Sequence, residues 1–481
     1  MNPFDLGAAA TPESDPAGKR AETFTAPEER LTDLGNARRL VRLVGQDLRY
    51  VHAWSEWLIW SGSHWIRDQT GAVERYGKKV VEEIHLEAAA ESNQDRRKAL
   101  GKHAIASDSA RSIRNMIALA QSEWTVAVPA EAVDRDPWLL NCRNGTLELR
   151  TGQLREHRRE DLITKCVPAA YDPAAPCPRW EAFLGRIFAG RSALIFFVQR
   201  ALGYALTGDT REQALFLCCG VGANGKSTLL QTIRTLLSDY SGDLASSTLL
   251  ARKGDVAISM NDLATLQGVR FVMTAESDMG RSLAEALVKQ ITGGDSIKVK
   301  RLYADVFAMT PAFKVWIATN HKPVIRGTDH AIWRRIRLIP FDVQIPAAEQ
   351  DPTLLEQLQA ERPGILRWLV EGCLAWQRDG LGLPEEVREA TAEYRLDMDT
   401  LEGFLDERVI QEPKASVGAG ELYENYTDWA RKAGEQPISL KAFGRQLEER
   451  GVRLGEKTRT GRRWLDMRLR TPMDPVESAL S

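Results

Sequence analysis

Gly220-Val221-Gly222-Ala223-Asn224-Gly225-Lys226-Ser227-Thr228 fits the pattern GxxxxGK[ST] at every fixed position. A pattern this short arises by chance, so its flanks decide. Ahead of it, Ala214-Leu215-Phe216-Leu217-Cys218-Cys219 is a continuous apolar run of buried-strand type. Behind it, residues 227–237 (STLLQTIRTLL) repeat Leu and Ile at helical spacing. The stretch therefore predicts a loop between strand and helix, and an α/β fold around it. Glycines at 220, 222 and 225 permit the positive φ angles that turn successive backbone N–H groups toward one point. The helix N-terminus adds partial positive charge there. Such a loop suits the phosphates of ATP: Gly220, Gly222, Ala223, Asn224, Gly225 and Thr228 would wrap them, Lys226 would reach the β and γ phosphates, and the Ser227 hydroxyl would hold Mg²⁺.

Composition sets broad bounds. The 481 residues suffice for roughly three domains. Lys plus Arg (64) nearly balance Asp plus Glu (66), which excludes a uniformly basic coat but not a local basic patch. The six cysteines form no CxxC and lie at no ligand spacing from a histidine, so neither a zinc site nor a disulfide framework is expected. That usage is of a reduced, cytosolic kind. No run of about 18 apolar residues and no secretory signal pattern is present, so no membrane association is expected.

Along the chain, residues 1–30 have the composition of a mobile tail. A first domain is expected over 31–178. In it Thr32 or Asp33 caps a helix, short aromatic strands run near Tyr50, Trp57 and Trp65, helices cover about 73–90 and 96–121, and Asn144-Gly145 opens a hairpin. Trp54, Trp57, Trp60 and Trp65 suit core packing better than a base-stacking platform. An ATPase core is expected over 179–345, a helical bundle over 346–397, a domain of its own over 398–471, and a tail over 472–481.

Within the core, the apolar run 268–275 ends at Glu276, where a carboxylate can polarise the water that attacks a γ phosphate and, through water, contact the metal. Glu276 is the expected general base. A further buried strand, Lys314–Thr319, ends at Asn320, whose amide can sense a γ phosphate. In residues 329–341 (DHAIWRRIRLIPF), Arg334 and Arg335 stand at the entrance of a strand and suit an arginine finger, with Arg335 preferred; solvated arginines are the alternative. Residues 297–303 (IKVKRLY) alternate cations with an aromatic, so Lys298, Lys300, Arg301 and Tyr303 suit phosphate contacts and stacking. An edge strand guarded by lysines is the other reading. Over Lys441–Arg470, ten Lys or Arg face four acids, with a helix over 439–450 and a β wing ending at Trp464.

In order and spacing these motifs, with KQITGGD at 289–295 and ATN at 318–320, resemble the superfamily 3 helicase domain of phage and plasmid primase-helicases, related to the poxvirus primase-helicase. LTDLGNA at 31–37 and NCRNGTL at 141–147 are similar to that family's helicase-associated N-terminal domain, and 404–470 to its C-terminal winged-helix-like piece. The resemblance implies an AAA+-like P-loop core between an α+β N-terminal domain and a winged-helix-like domain. It also implies ATP and Mg²⁺ as cofactors, a homo-oligomeric ring, a hexamer, with a hairpin gripping single-stranded DNA in its channel, and duplex contact through the C-terminal domain. The expected activity is ATP-dependent DNA unwinding in replication of a phage or mobile element, in a bacterial or phage-infected cytoplasm. An ATP-switched initiator or loader that binds DNA without processive unwinding is the alternative. Many relatives carry a primase-polymerase domain ahead of this region; about 30 tail residues hold none, so a separate primase is an expected partner.

Overall fold

In a computed structural model of this chain the described residues are 30–251, 260–274, 282–300, 306–325, 330–398, 400–433, 437–456, 461–471 and 474. They fall into two compact units: the chain up to Ile59 with Arg67–Val128, and Trp60–Ile66 with the chain from Pro129 onward.

In the first unit α1 (Asp33–Val44) starts at Thr32, which is extended and whose hydroxyl accepts from Gly35 N at 3.2 Å. Strand β1 (Leu48–Val51) pairs antiparallel with β2 (Glu56–Trp60), and β3 (Trp65–Arg67) is third in that sheet. After α2 (Ala72–Ala90), the single helix expected over 96–121 is two, α3 (Gln94–Ser107) and α4 (Ala110–Ala120). The break has a local cause: Ser109 is extended and its hydroxyl caps Ser112 N at 3.2 Å. Leu40, Val80, Ile84, Ala104 and Met116 meet in the core between these helices.

In the second unit, strands β4 (Leu139–Cys142), β5 (Gly145–Glu148) and β6 (Gln153–Arg155) form an antiparallel sheet with its first turn at Arg143-Asn144. Leu140, Cys142 and Leu147 share one core with α5 (Pro178–Ile187) and α6 (Ser192–Tyr204). Trp65 is fully buried here and its indole N–H donates to Arg159 O at 2.9 Å, while Trp60 lies 5.4 Å below the Arg159 guanidinium. Both are engaged in packing.

The centre of this unit follows in order as β7 (Leu215–Cys219), α7 (Lys226–Leu237), β8 (Ser241–Asp243), α8 (Ser246–Leu249), β9 (Leu250–Ala251), α9 (Met260–Ala264), β10 (Phe271–Thr274), β11 (Ser282–Leu283), α10 (Glu285–Gly293), β12 (Ile297–Lys300), β13 (Val306–Met309), β14 (Lys314–Thr319), α11 (His330–Trp333) and β15 (Ile336–Pro340). Five strands make one parallel sheet in the order β15-β7-β14-β10-β8. A strand with neighbours on both sides and cover on both faces must be apolar throughout, which is why β7 and β14 read as unbroken runs. Alternate residues divide between two cores. Phe216, Cys218, Trp316 and Ala318 join α5, α6 and α7, whereas Leu215, Leu217, Val315 and Ile317 meet α10 and the β12–β13 pair.

Helices α12 (Leu354–Ala360), α13 (Arg362–Asp379) and α14 (Glu385–Met398) follow. α13 lies close on α6, with glycines at the crossing: a Cβ added at Gly203 would come 2.2 Å from Cys373 N, and one at Gly372 2.2 Å from Gln199 O. The chain then builds a separate small core from Phe404, Tyr426, Phe443, Leu447 and Trp464. Its elements are α15 (Thr400–Arg408), β16 (Val409–Gly418), α16 (Ala419–Lys432), α17 (Leu440–Glu449) and β17 (Arg463–Leu469). The wing expected to end at Trp464 runs on to Leu469, because β17 pairs antiparallel with β16, a polar strand that periodicity does not reveal. Arg453–Gly455 folds back onto the start of β17, with Leu465 N donating to Arg453 O at 2.9 Å and Gly455 N to Arg463 O at 2.8 Å.

At the end of the parallel sheet where its strands enter, two buried cations organise the chain. Arg270, just before β10, donates to Leu206 O at 2.7 Å, Leu139 O at 2.7 Å and Asp136 O at 3.1 Å, and stacks over Tyr240. Lys314, first in β14, donates to the carbonyls of Thr207, Asp209 and Ala312 and sits over Tyr204. Burial, then the nearby Arg270, pushes the Lys314 ammonium well below the usual lysine range, and these carbonyls and the ring oppose that push. Arg270→Ala would leave three carbonyls without their donor. It is expected to lower the stability of this unit by about 3 kcal/mol or more, read as an earlier urea midpoint in tryptophan fluorescence.

Candidate functional site

The site grows from the exit of β7. Cys219 ends that strand, Gly220 turns the chain, and α7 begins at Lys226 after Gly225. Ala223 and Gly225 take φ of 59° and 84°, the left-handed values that point consecutive N–H groups inward. Space decides the other glycines. A Cβ at Gly220 would stand 2.3 Å from Phe341 O and 2.6 Å from Asn224 Nδ2, and one at Gly225 would stand 2.5 Å from Ile187 Cγ2 of α5. A Cβ at Gly222 would meet nothing within 4 Å. The rim made by Val221, Gly222, Ala223 and Ser227 is exposed, whereas Asn224 and Lys226 beneath it are buried.

Lys226 is the centre of this arrangement. Its Nζ donates to Gly220 O at 2.6 Å, Val221 O at 3.2 Å, Asn224 Oδ1 at 2.9 Å and Asn320 Oδ1 at 3.1 Å. The last contact follows from topology: β14 lies beside β7 with Thr319 paired to Cys219, so the residue after β14 arrives next to the turn. Two residues far apart in sequence are thereby in direct contact. The strand leading to Glu276, β10, lies on the far side of β14 and ends at Thr274; Glu276 itself lies outside the described residues. Burial pushes the thiol of Cys218, and to a lesser degree that of Cys219, up from its ordinary range, so neither is a thiolate beside the lysine.

The sequence did not reveal that the chain leaving β15 closes the loop from below. Phe341 N donates to Cys219 O at 2.8 Å, Asn224 Nδ2 donates to Phe341 O at 3.1 Å, and Ile345 N donates to Ala223 O at 2.7 Å. Asp342, next to Phe341, accepts both Arg191 Nη1 and Nη2 at 3.1 Å. The contacts of Phe341 N and Ile345 N are backbone ones made beside the β15–β7 pairing, and no residue pattern encodes them.

The two arginines separate. Arg335 is 7% exposed, with Nε donating to Thr292 Oγ1 at 3.0 Å and Nη1 to Ala331 O at 2.5 Å, so its guanidinium is committed inside its own chain. The preference for Arg335 is therefore corrected. Arg334 is the exposed one, donating to Gln213 Oε1 at 2.8 Å. Both stand where β7 enters the sheet, since Leu215 N donates to Arg335 O at 2.7 Å, while the glycine loop stands where β7 leaves. A five-residue strand separates those ends by about 17 Å.

β12 and β13 pair antiparallel, with Ile297 and Val299 buried and Lys298 and Lys300 exposed. Arg301 and Tyr303 lie outside the described residues. In the C-terminal region several cations counted in the basic excess are already paired: Arg453 with Asp466 at 2.5 Å, Arg468 with Asp474 at 2.7 Å, and Arg463 with Ser416 O at 2.7 Å. Lys441, Arg445 and Arg462 remain exposed. Among the described residues no cluster of three or more His, Cys, Asp or Glu could hold a metal, and no helix is long and apolar enough to cross a membrane.

Residues 37–189 match the D5 N terminal like family, and residues 218–335 match a family of unknown function (DUF5906). The chain is 24% identical over 320 residues to a "putative helicase" of Acanthamoeba polyphaga mimivirus, covering 62% of this chain and 33% of that protein. It is 26% identical over 417 residues to a "putative helicase" of Frog virus 3, covering 69% of this chain and 42% of that protein. A "putative primase" of African swine fever virus is 23% identical over 330 residues, with 62% and 34% covered. These relatives are named putative helicases and a putative primase of large DNA viruses, and the chain spans between a third and about two fifths of their length. Among solved structures, the apo NrS-1 C terminal region is 10% identical, with a TM-score of 0.47 over 90% of this chain and 99% of that one.

The glycine geometry makes a paired prediction. Gly220→Ala is expected to destabilise by about 1–3 kcal/mol through overpacking against Phe341, while Gly222→Ala stays within about 0.5 kcal/mol of the parent. Urea unfolding of the two variants side by side measures the difference.

Proposed function

We propose that this protein is a Mg²⁺-dependent ATPase that assembles into a ring, a hexamer, and translocates on DNA to separate its strands during replication of a phage or mobile element. The observation that carries this reading is the contact of Lys226 with Asn320 across β7 and β14. The core is read as AAA+-like, the C-terminal elements as a winged-helix-like domain, and the site of action as cytoplasmic. ATP is the substrate of the loop.

The residues present fit the nucleotide and the metal. A buried ammonium already ringed by oxygens can exchange some of them for phosphate oxygens at little desolvation cost. The exposed Ser227 hydroxyl stands on the first turn of α7, and magnesium needs few protein ligands when phosphates supply the rest. Bound Mg²⁺ would neutralise phosphate charge. Backbone N–H groups of Gly220–Thr228 hold the phosphates, Lys226 holds the terminal ones, and Glu276 polarises the attacking water. Asn320, joined to Lys226, reports whether the γ phosphate is present. Arg334 stands about 17 Å from its own loop, too far to reach it, and so serves the loop of a neighbouring subunit.

The grip on DNA is assigned to the β12–β13 hairpin. Its apolar residues root it in the core, and Lys298 and Lys300 stand clear for phosphates. Arg301 and Tyr303 are assigned to the same contact from their place in the sequence. Lys441, Arg445 and Arg462 in the C-terminal region are assigned to duplex contact.

Purified protein is expected to hydrolyse ATP faster with single-stranded DNA and to unwind a forked duplex; Lys226→Ala and Glu276→Gln should each abolish hydrolysis. Slow hydrolysis indifferent to DNA would overturn the motor reading, and DNA-stimulated hydrolysis without unwinding would leave the initiator or loader. Mixing Arg334→Ala with Lys226→Ala subunits should restore part of the ATPase rate, since mixed rings pair an intact loop with an intact arginine. No recovery at any ratio would argue against a finger in trans. Lys298→Ala with Lys300→Ala should flatten the dependence of log K on log salt by about two, as measured by anisotropy titrations at several ionic strengths.

A further inference from the structure

Phosphate binding as described uses the backbone of Asn224 and makes no use of its side chain, yet that side chain is 3% exposed and both its ends are engaged. Oδ1 accepts from Lys226 Nζ at 2.9 Å, and Nδ2 donates to Phe341 O at 3.1 Å. The orientation of the amide is forced by its partners. An ammonium only donates and a carbonyl only accepts, so the oxygen must face the lysine and the nitrogen must face Phe341. No other short side chain supplies an acceptor and two donors on one planar group.

Phe341 is the first residue after β15, and the chain there is tied to the loop on either side of this amide. Phe341 N donates to Cys219 O at 2.8 Å, and Ile345 N donates to Ala223 O at 2.7 Å. Gly220 completes the fit, since a Cβ there would stand 2.3 Å from Phe341 O. The loop and the exit of β15 are therefore stitched together, with the Asn224 side chain joining both to Lys226. The opposite end of β15 carries Arg334 and Arg335.

We propose that Asn224 is a positioning residue: its carboxamide sets the Lys226 ammonium relative to the loop and makes loop and β15 exit one mechanical unit. Anything that shifts β15 at its Arg334 end thereby reaches Lys226 through Phe341. The inference rests on the nucleotide reading for its effect on ATP, but the stitching itself does not.

The test uses the full-length chain, with equilibrium binding of ATP at pH 8 and amide hydrogen exchange measured without nucleotide. Asn224→Ala is expected to weaken ATP binding about tenfold or more, the loss of a buried hydrogen bond to a charged group. It should also speed exchange in 220–226 and 341–345 together. Asn224→Asp places a carboxylate oxygen against Phe341 O, so at pH 8 it too binds ATP weakly. Wild-type affinity in Asn224→Ala with unchanged exchange would overturn the proposal, as would wild-type affinity in Asn224→Asp at pH 8, where the carboxyl is ionised. Should Asn224→Ala fail to fold, the Asp variant at pH 8 carries the decision. If the parent binds no ATP and Lys226→Ala changes nothing, the nucleotide reading falls, and the exchange comparison alone decides whether Asn224 stitches the two segments.

Discussion

A lysine ammonium left 5% exposed must be surrounded by oxygens, because a buried charge without partners costs several kcal/mol. Lys226 meets that demand with two carbonyls of its own loop and two amide oxygens, from Asn224 and Asn320. Each oxygen makes a further demand. The carbonyls require a tight turn at Gly220, Asn320 requires β14 to lie beside β7, and Asn224 requires the exit of β15 to lie beneath the loop. The placement of one side chain thus depends on three strands in one order.

That order is held from the other end of the sheet by a similar demand. Arg270 and Lys314 enter β10 and β14 with their charges buried, and backbone carbonyls of 136–139 and 206–209, with two tyrosine rings, supply the compensation. These carbonyls belong to the segments ahead of β4 and β7, so the antiparallel sheet and the α6 exit are drawn onto the base of the parallel sheet. The aromatic layer of Phe216, Trp316 and Phe271 fills the space between the two ends, with Phe216 and Trp316 stacked at 4.3 Å. Cations at one end and the glycine loop at the other hold the same strands in register.

How far the sequence could be read differs between elements, for physical reasons. β7 and β14 were legible because full burial removes every polar residue from them. Thr32 was legible as a cap candidate because a hydroxyl ahead of an apolar period satisfies orphan N–H groups within a few residues. β8, with sequence Ser-Gly-Asp, and β16, carrying Gln-Glu-Pro-Lys, were not, since an edge strand needs no apolar period and owes its pairing to its partner. Arg334 and Arg335 are adjacent in sequence and equally basic. Only Thr292 and Ala331, brought close by α10 and α11, bury one and leave the other exposed.

The sequence alone determined that a glycine-rich turn joins a buried strand to a helix, that Lys226 ends that turn, and that Asn320 ends another buried strand, because each is a matter of local residue type and spacing. Tertiary structure alone decided that Lys226 and Asn320 touch, that β14 stands between β7 and β10, and that Phe341 and Ile345 close the loop through Asn224. Strand order and backbone hydrogen bonds between distant segments bring these groups together, and every residue carries the same backbone donor and acceptor, so the side chains of Asn224 and Asn320 record what they can bond but not which segment they meet.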